Sequence, residues 1–170
     1  MAPLGSRVRC TRNTILRSAW GTCVAFGSAC HSSVATHGEQ TVVHDSVEVA
    51  LHVRATAHLG DSIPLRISVR NLTNRGRSLE YADPGPADFL IMAKSGRRVW
   101  HYLPENQAAL AALDSLPGHG ARQFTVTWDQ RDGERQHVGA GSYIVIGTFE
   151  GGRTTGGDVK LGPAPLQIVR

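Results

Sequence analysis

From Val47 onward, apolar and polar residues alternate almost one for one. In VEVALHV the residues Val47, Val49, Leu51 and Val53 share one face of an extended chain. In IPLRISV the residues Ile63, Leu65, Ile67 and Val69 do the same. A repeat of two is the pleat of a half-buried strand, whereas an amphipathic helix repeats about every 3.6 residues. The turn-forming run NLTNRG ends the second strand, and the short strand RSLEY follows it into ADPGPAD, whose two prolines and Gly85 make a stiff loop. DFLIMA and RVWHY are joined by KSGR, which predicts an antiparallel hairpin turning at Ser95-Gly96.

One segment departs from this period. PENQAALAAL (104–113) opens on a proline suited to a first helical position and continues with strong helix formers, so it predicts a helix of two to three turns. After it, ARQFTVTW places Phe124, Val126 and Trp128 on one face. SYIVIGTF and VKLGPAPLQIVR supply the last strands, and the glycine-rich EGGRTTGGD links them. Seven or eight short strands and one short helix predict an all-β, immunoglobulin-like antiparallel β-sandwich. Within it Trp100 and Trp128 read as core aromatics. Tyr143, at the head of a late strand after Gly141-Ser142, reads as a corner tyrosine whose hydroxyl bonds backbone.

The first forty-odd residues differ from the rest. Residues 1–40 carry Arg7, Arg9, Arg12 and Arg17 against Glu39 alone, whereas the remainder holds 14 Lys/Arg and 13 Asp/Glu. A basic start followed by the uncharged stretch SAWGTCVAFGSA fits a signal-peptide core and is too short to span a bilayer. The GSAC ending at Cys30 resembles the cleavage and lipidation box of bacterial lipoproteins. The expected organisation is a leader over 1–29, a flexible tether over 30–45 and a β-domain over 46–170. Export to the cell envelope, with Cys30 as lipid anchor, is the localisation this implies; the alternative is a cytoplasmic chain with an unstructured start.

Charge and cysteine narrow the chemistry. The near-neutral domain has no electrostatic footprint for nucleic acid, and no compact aromatic-and-basic patch stands out. Cys10, Cys23 and Cys30 all precede the domain, which therefore contains no thiolate for catalysis or metal binding. His31, His37 and His44 lie too far apart along a tail to converge on a metal. Asp129, Asp132 and Glu134 alternate with Arg131 and Arg135, which is a charge-balanced turn and not a calcium ladder. His101, His119 and His137 sit in no nucleophile elbow or zinc spacing. No catalytic residue, metal or cofactor is expected.

The ordered run VRNLTNRGRSLEY, DFLIMAKSGRRVWHY, PENQAALAAL, LPGHGARQFTVTWDQRDGE and GAGSYIVIGTF resembles the BsuPI family, named for an intracellular proteinase inhibitor. The resemblance covers about 71–149 and, with flanking strands, most of 47–169. It implies an immunoglobulin-like domain that inhibits a serine proteinase through a protein surface. Two loops are candidates for that surface. The first is Asp83, Pro84, Gly85 and Pro86, held stiff by its prolines; the second is Tyr102-Leu103, which offers an apolar anchor. Against this stands the plainer reading that both are connections. A further alternative is an envelope-anchored adhesion or accessory module that inhibits nothing.

Overall fold

The computed structural model of the chain describes residues 37–82, 85–103, 111–151 and 155–170, within the compact unit Val34–Arg170. Its strands are β1 (His37–His44), β2 (Val47–Arg54), β3 (Thr56–His58), β4 (Ile63–Asn71), β5 (Arg77–Ala82) and β6 (Ala87–Ala93). They continue as β7 (Arg98–His101), β8 (Ala111–Leu116), β9 (Ala121–Trp128), β10 (Gly141–Glu150) and β11 (Asp158–Val169). One sheet runs β1-β2-β4-β9, a second β3-β11-β10-β6-β7, and β5 pairs with β8 in a separate ribbon.

The described domain is all-β, but the expected immunoglobulin-like sandwich of seven or eight strands with one helix is not what forms. Among the described residues eleven strands make three sheets and no closed two-sheet sandwich, and no helix occurs. Nor is the pairing wholly antiparallel, since β3 lies parallel to the end of β11, with Ile168 opposite Ala57. Residues 104–110 of the expected helix lie outside the described residues, but its last three, 111–113, belong to β8 and pair with β5. The burial shows why a helix fails there. Leu113 and Leu116 would share a helix face, yet Leu113 is 72% exposed and Leu116 is fully buried, the opposite-face pattern of a strand. A short alanine-rich helix is marginal alone, and β5 offers a ladder partner that β8 can satisfy.

The segment expected as a tether, 30–45, is also partly a strand. β1 pairs with β2 along its whole length, from His37–Arg54 to His44–Val47. It further reaches the second sheet through Gln40, whose Oε1 accepts the Gly162 amide at 3.0 Å and whose Nε2 donates to the Pro163 carbonyl at 3.0 Å. A polar strand suits this place because an edge needs few apolar contacts and its hydrophilic side chains face water. The leader, 1–29, lies outside the described residues.

The core is what the alternation demands. Val47, Val49, Leu51 and Val53 from β2 and Ile63, Leu65, Ile67 and Val69 from β4 are buried against Phe89, Ile91, Val145, Phe149, Leu161 and Leu166 of the second sheet. The layers close tightly at Gly147, where a Cβ would meet Cδ1 of both Ile67 and Leu51 at 3.1 Å. Each buried aliphatic side chain contributes roughly 1.5–3 kcal/mol, so packing suffices without cysteine.

A buried amide ties the ribbon to this core. Asn71 Nδ2 donates to the carbonyls of Arg75 (2.7 Å), Pro117 (3.1 Å) and Leu116 (3.3 Å), while its Oδ1 accepts from the Thr73 amide and hydroxyl. The NLTNRG turn is therefore an anchor for the return strand as well as a break.

Candidate functional site

The β6–β7 hairpin brings the start of β6 and the end of β7 to one end of the second sheet, because Leu90 pairs with His101 and Ile91 with Trp100. At that end the Asp88 carboxylate organises the chain. Its Oδ1 accepts the Phe89 amide at 2.7 Å and the Leu103 amide at 3.1 Å, and its Oδ2 bonds His101 Nε2 at 2.6 Å. The Tyr102 amide donates to the Phe89 carbonyl at 2.9 Å. The chain leaving β7 is thus held by three bonds, and Tyr102 projects from it 37% exposed.

The other candidate loop is only partly described: Asp83 and Pro84 lie outside the described residues. Its second half is pinned flat. Pro86 is buried and its carbonyl accepts the Glu150 amide at 2.7 Å, with Gly85 half-buried before it. Gly85-Pro86 therefore supports the site, and the projecting group is Tyr102, with Leu103 half-buried beside it. Three carboxylates meet at this end, since Glu150 opposes Asp158 and Thr148 opposes Asp88 in the ladder. Partial burial, then the charges of Asp158 and Asp88, hold the Glu150 carboxyl above its ordinary range.

Trp128 is fully buried at the end of β9, and its indole donates to the Arg131 carbonyl at 2.7 Å. Tyr143 packs edge-on against it with ring centroids 6.1 Å apart, and the Tyr143 hydroxyl donates to the Gly139 carbonyl at 2.7 Å. Half-buried Trp100 bridges Trp128 and Tyr102, at 6.4 and 6.1 Å. The aromatic series thus runs from the core to the surface and gives Tyr102 a firm backing.

Between these points the charged turn is self-locked. Asp132 Oδ1 accepts the amides of Glu134 and Gln136, and the Arg131 guanidinium donates to the Arg135 carbonyl at 2.8 Å. Asp129 and Asp132 here hold backbone amides. The tip leans on β7, where the Gly133 amide donates to the Val99 carbonyl at 3.0 Å. A groove of about 830 Å³ lies between the tip and β7. Among the described residues no group of three His, Cys, Asp or Glu converges as a metal site. Cys30 lies outside the described residues.

Sequence reasoning gave Asp88 and His101 no role in a site, placing His101 in no nucleophile elbow or zinc spacing. The signal was present in the hairpin itself, because residues 88 and 103 are equidistant from the Ser95-Gly96 turn and so face one another across it. Likewise, the turn at 132–135 and residues 97–98 of the KSGRR hairpin line one groove with Trp100 and Tyr102 only once folded.

The family model described as BsuPI, intracellular proteinase inhibitor, matches residues 47–154. No curated protein matches the chain. Among solved structures, the chain is similar to the alkylpurine DNA glycosylase AlkC of Pseudomonas fluorescens bound to abasic-site DNA, at 17% identity and a TM-score of 0.43 over 74% of this chain and 31% of that one. It is similar to the CARDB domain of PF1109 from Pyrococcus furiosus, at 12% identity and a TM-score of 0.39 over 73% of this chain and 94% of that one. A third is the sporulation control protein Spo0M of Bacillus subtilis, at 11% identity and a TM-score of 0.40 over 76% of this chain and 51% of that one. The chain spans less than a third of the glycosylase and about half of Spo0M. Likeness at this level carries no argument about activity.

Proposed function

The chain belongs to the BsuPI family, whose domain is of inhibitor type and non-catalytic, and from that premise we propose that it binds and inhibits a serine proteinase through the Tyr102-Leu103 segment. The observation that carries the reading is the Asp88 carboxylate, which holds His101 and the Leu103 amide on either side of an exposed aromatic ring. A loop already fixed in one shape loses little ordering entropy on docking, and an exposed tyrosine with a rigid backing is a typical binding anchor. The full chain should inhibit a subtilisin-like or trypsin-like proteinase, and Tyr102→Ala should weaken inhibition roughly 30-fold, the loss of one anchor worth ~2 kcal/mol. A wild-type chain that leaves both proteinases fully active, or a Tyr102→Ala chain that inhibits as well as wild type, overturns the proposal.

The proposal includes export with acylation at Cys30. It is supported by the basic start, the short apolar run and the small residues of GSAC; the family's description names an intracellular inhibitor, so the leader argues for a different compartment. Metabolic labelling with a fatty-acid analogue should mark the wild-type chain and spare Cys30→Ala, and an unlabelled wild type found only in the cytoplasm rejects this part.

A further inference from the structure

β9 ends the four-stranded sheet on the side away from β1, and it pairs on one side only, with β4, from Ile63–Trp128 to Arg70–Ala121. Proteins usually blunt such an edge with shortness, proline, a bulge, a lysine or a covering loop. The other edges follow that rule. β3 has three residues and β7 four, and the Gly133 amide already occupies the Val99 carbonyl of β7. β1 leans onto β11 through Gln40. β9, ARQFTVTW, has no proline or lysine, and its ladder with β4 runs without a bulge. Among the described residues no backbone group of a loop or turn bonds to it. Its one charge, Arg122, is turned back onto Asp114 at 3.4 Å.

The side chains of β9 are also left half-covered. Phe124 and Val126 stand opposite Ile67 and Leu65, which are fully buried, yet they are themselves only half-buried. Phe124 rests on the buried Phe149 with ring centroids 6.1 Å apart, so it is held in place while part of it meets water. On the other face Gln123, Thr125 and Thr127 are exposed and uncharged.

We propose that β9 pairs antiparallel with β9 of a second copy of this chain, about a two-fold axis at Thr125, and so joins the two four-stranded sheets into one. An axis perpendicular to a sheet keeps each face continuous, which sets odd-numbered residues against odd and even against even. Centred on Thr125, it sets that residue against its own copy, Gln123 against Thr127, Phe124 against Val126 and Arg122 against Trp128. Threonine pairs and aromatic–β-branched pairs are favourable cross-strand combinations. The two Arg122 side chains stay apart by most of the strand's length, so no like charges meet. Phe124 and Val126 cover one another, and the open amides and carbonyls of the edge gain partners. A strand of another protein would satisfy the same backbone groups, but the match of these side chains to themselves favours a second copy. This inference does not rest on proteinase inhibition and is read by a different assay.

The test is sedimentation velocity of the full chain, in reductant so that Cys10, Cys23 and Cys30 form no intermolecular disulfide. The wild type should pass from monomer to dimer between micromolar and millimolar concentration, because one strand edge is a small contact. Thr125→Lys and Thr125→Asp, each setting like charges face to face across the axis, should weaken dimerisation about tenfold. An equimolar mixture of the two should dimerise as the wild type does, since opposite charges then meet. Thr125 is exposed, so these substitutions leave the core intact; should one fold poorly, Thr125→Arg or Thr125→Glu takes its place. A wild type that stays monomeric, single variants that dimerise undiminished, or a mixture that remains monomeric each overturns the proposal.

Discussion

The two ends of the second sheet are held by different kinds of side chain. At one end the anchor is Asp88, a carboxylate close to the surface that fixes the start of a loop. At the other it is Gln130, 1% exposed, whose Oε1 accepts the Gly60 amide at 3.1 Å and whose Nε2 donates to the carbonyls of His58 (2.6 Å) and Asp61 (3.0 Å). Both do the same geometric work, joining a loop to a distant strand. They differ because a neutral amide can be fully buried once its bonds are made, whereas a carboxylate so placed would lose hydration worth several kcal/mol. The charged anchor stays where water and His101 can reach it, beside the most exposed aromatic of the site. A position meant to meet a partner tolerates a surface ion; a position meant only to hold the fold does better with an entombed amide.

Replacing each anchor sharpens this contrast. Gln130→Ala should have the larger effect, about 3 kcal/mol of stability, because three backbone groups lose partners in a dry site. Denaturant unfolding measures it, and a loss below that of Asp88→Ala would break the comparison. Asp88→Ala should cost about 2 kcal/mol, since the amides it releases lie nearer to water. It should also weaken proteinase inhibition, whereas Gln130→Ala in its folded population should inhibit normally.

The smallest effect expected is at Glu150. Its carboxyl is held above the ordinary value of 4.5, chiefly by partial burial and then by Asp158 and Asp88. A raised value in the folded state means that the folded chain favours the protonated acid. The stability this gives is fully present below the unfolded value and is lost as the pH rises through the folded one. Glu150→Gln should therefore melt higher than wild type at pH 7 and level with it below the carboxylate range. The gain should stay under about 0.5 kcal/mol, because the group is largely solvated. Equal melting at both pH values would show that neither partial burial nor the neighbouring acids act on this carboxyl.

Much of this molecule can be read from alternation. The buried faces of β2 and β4 are the residues that recur every second position, and the β6–β7 hairpin turns at Ser95-Gly96. Residues 111–113 show where such reading stops. Alanine and leucine there satisfy a helix locally, and only β5, some thirty residues away, makes the strand preferable. The same holds for the parallel seat of β3 on β11 and for the split into three sheets.

What the sequence by itself determined, then, is which residues seek the interior and where the chain must bend, because hydrophobic burial and backbone torsions act through each residue and its near neighbours. The tertiary structure alone decided which strands meet, that Asp88 clamps the exit of β7, and that Arg97 and Arg135 share a groove. Those are pairings between distant parts of the chain, and their free energy exists only once the intervening loops have closed.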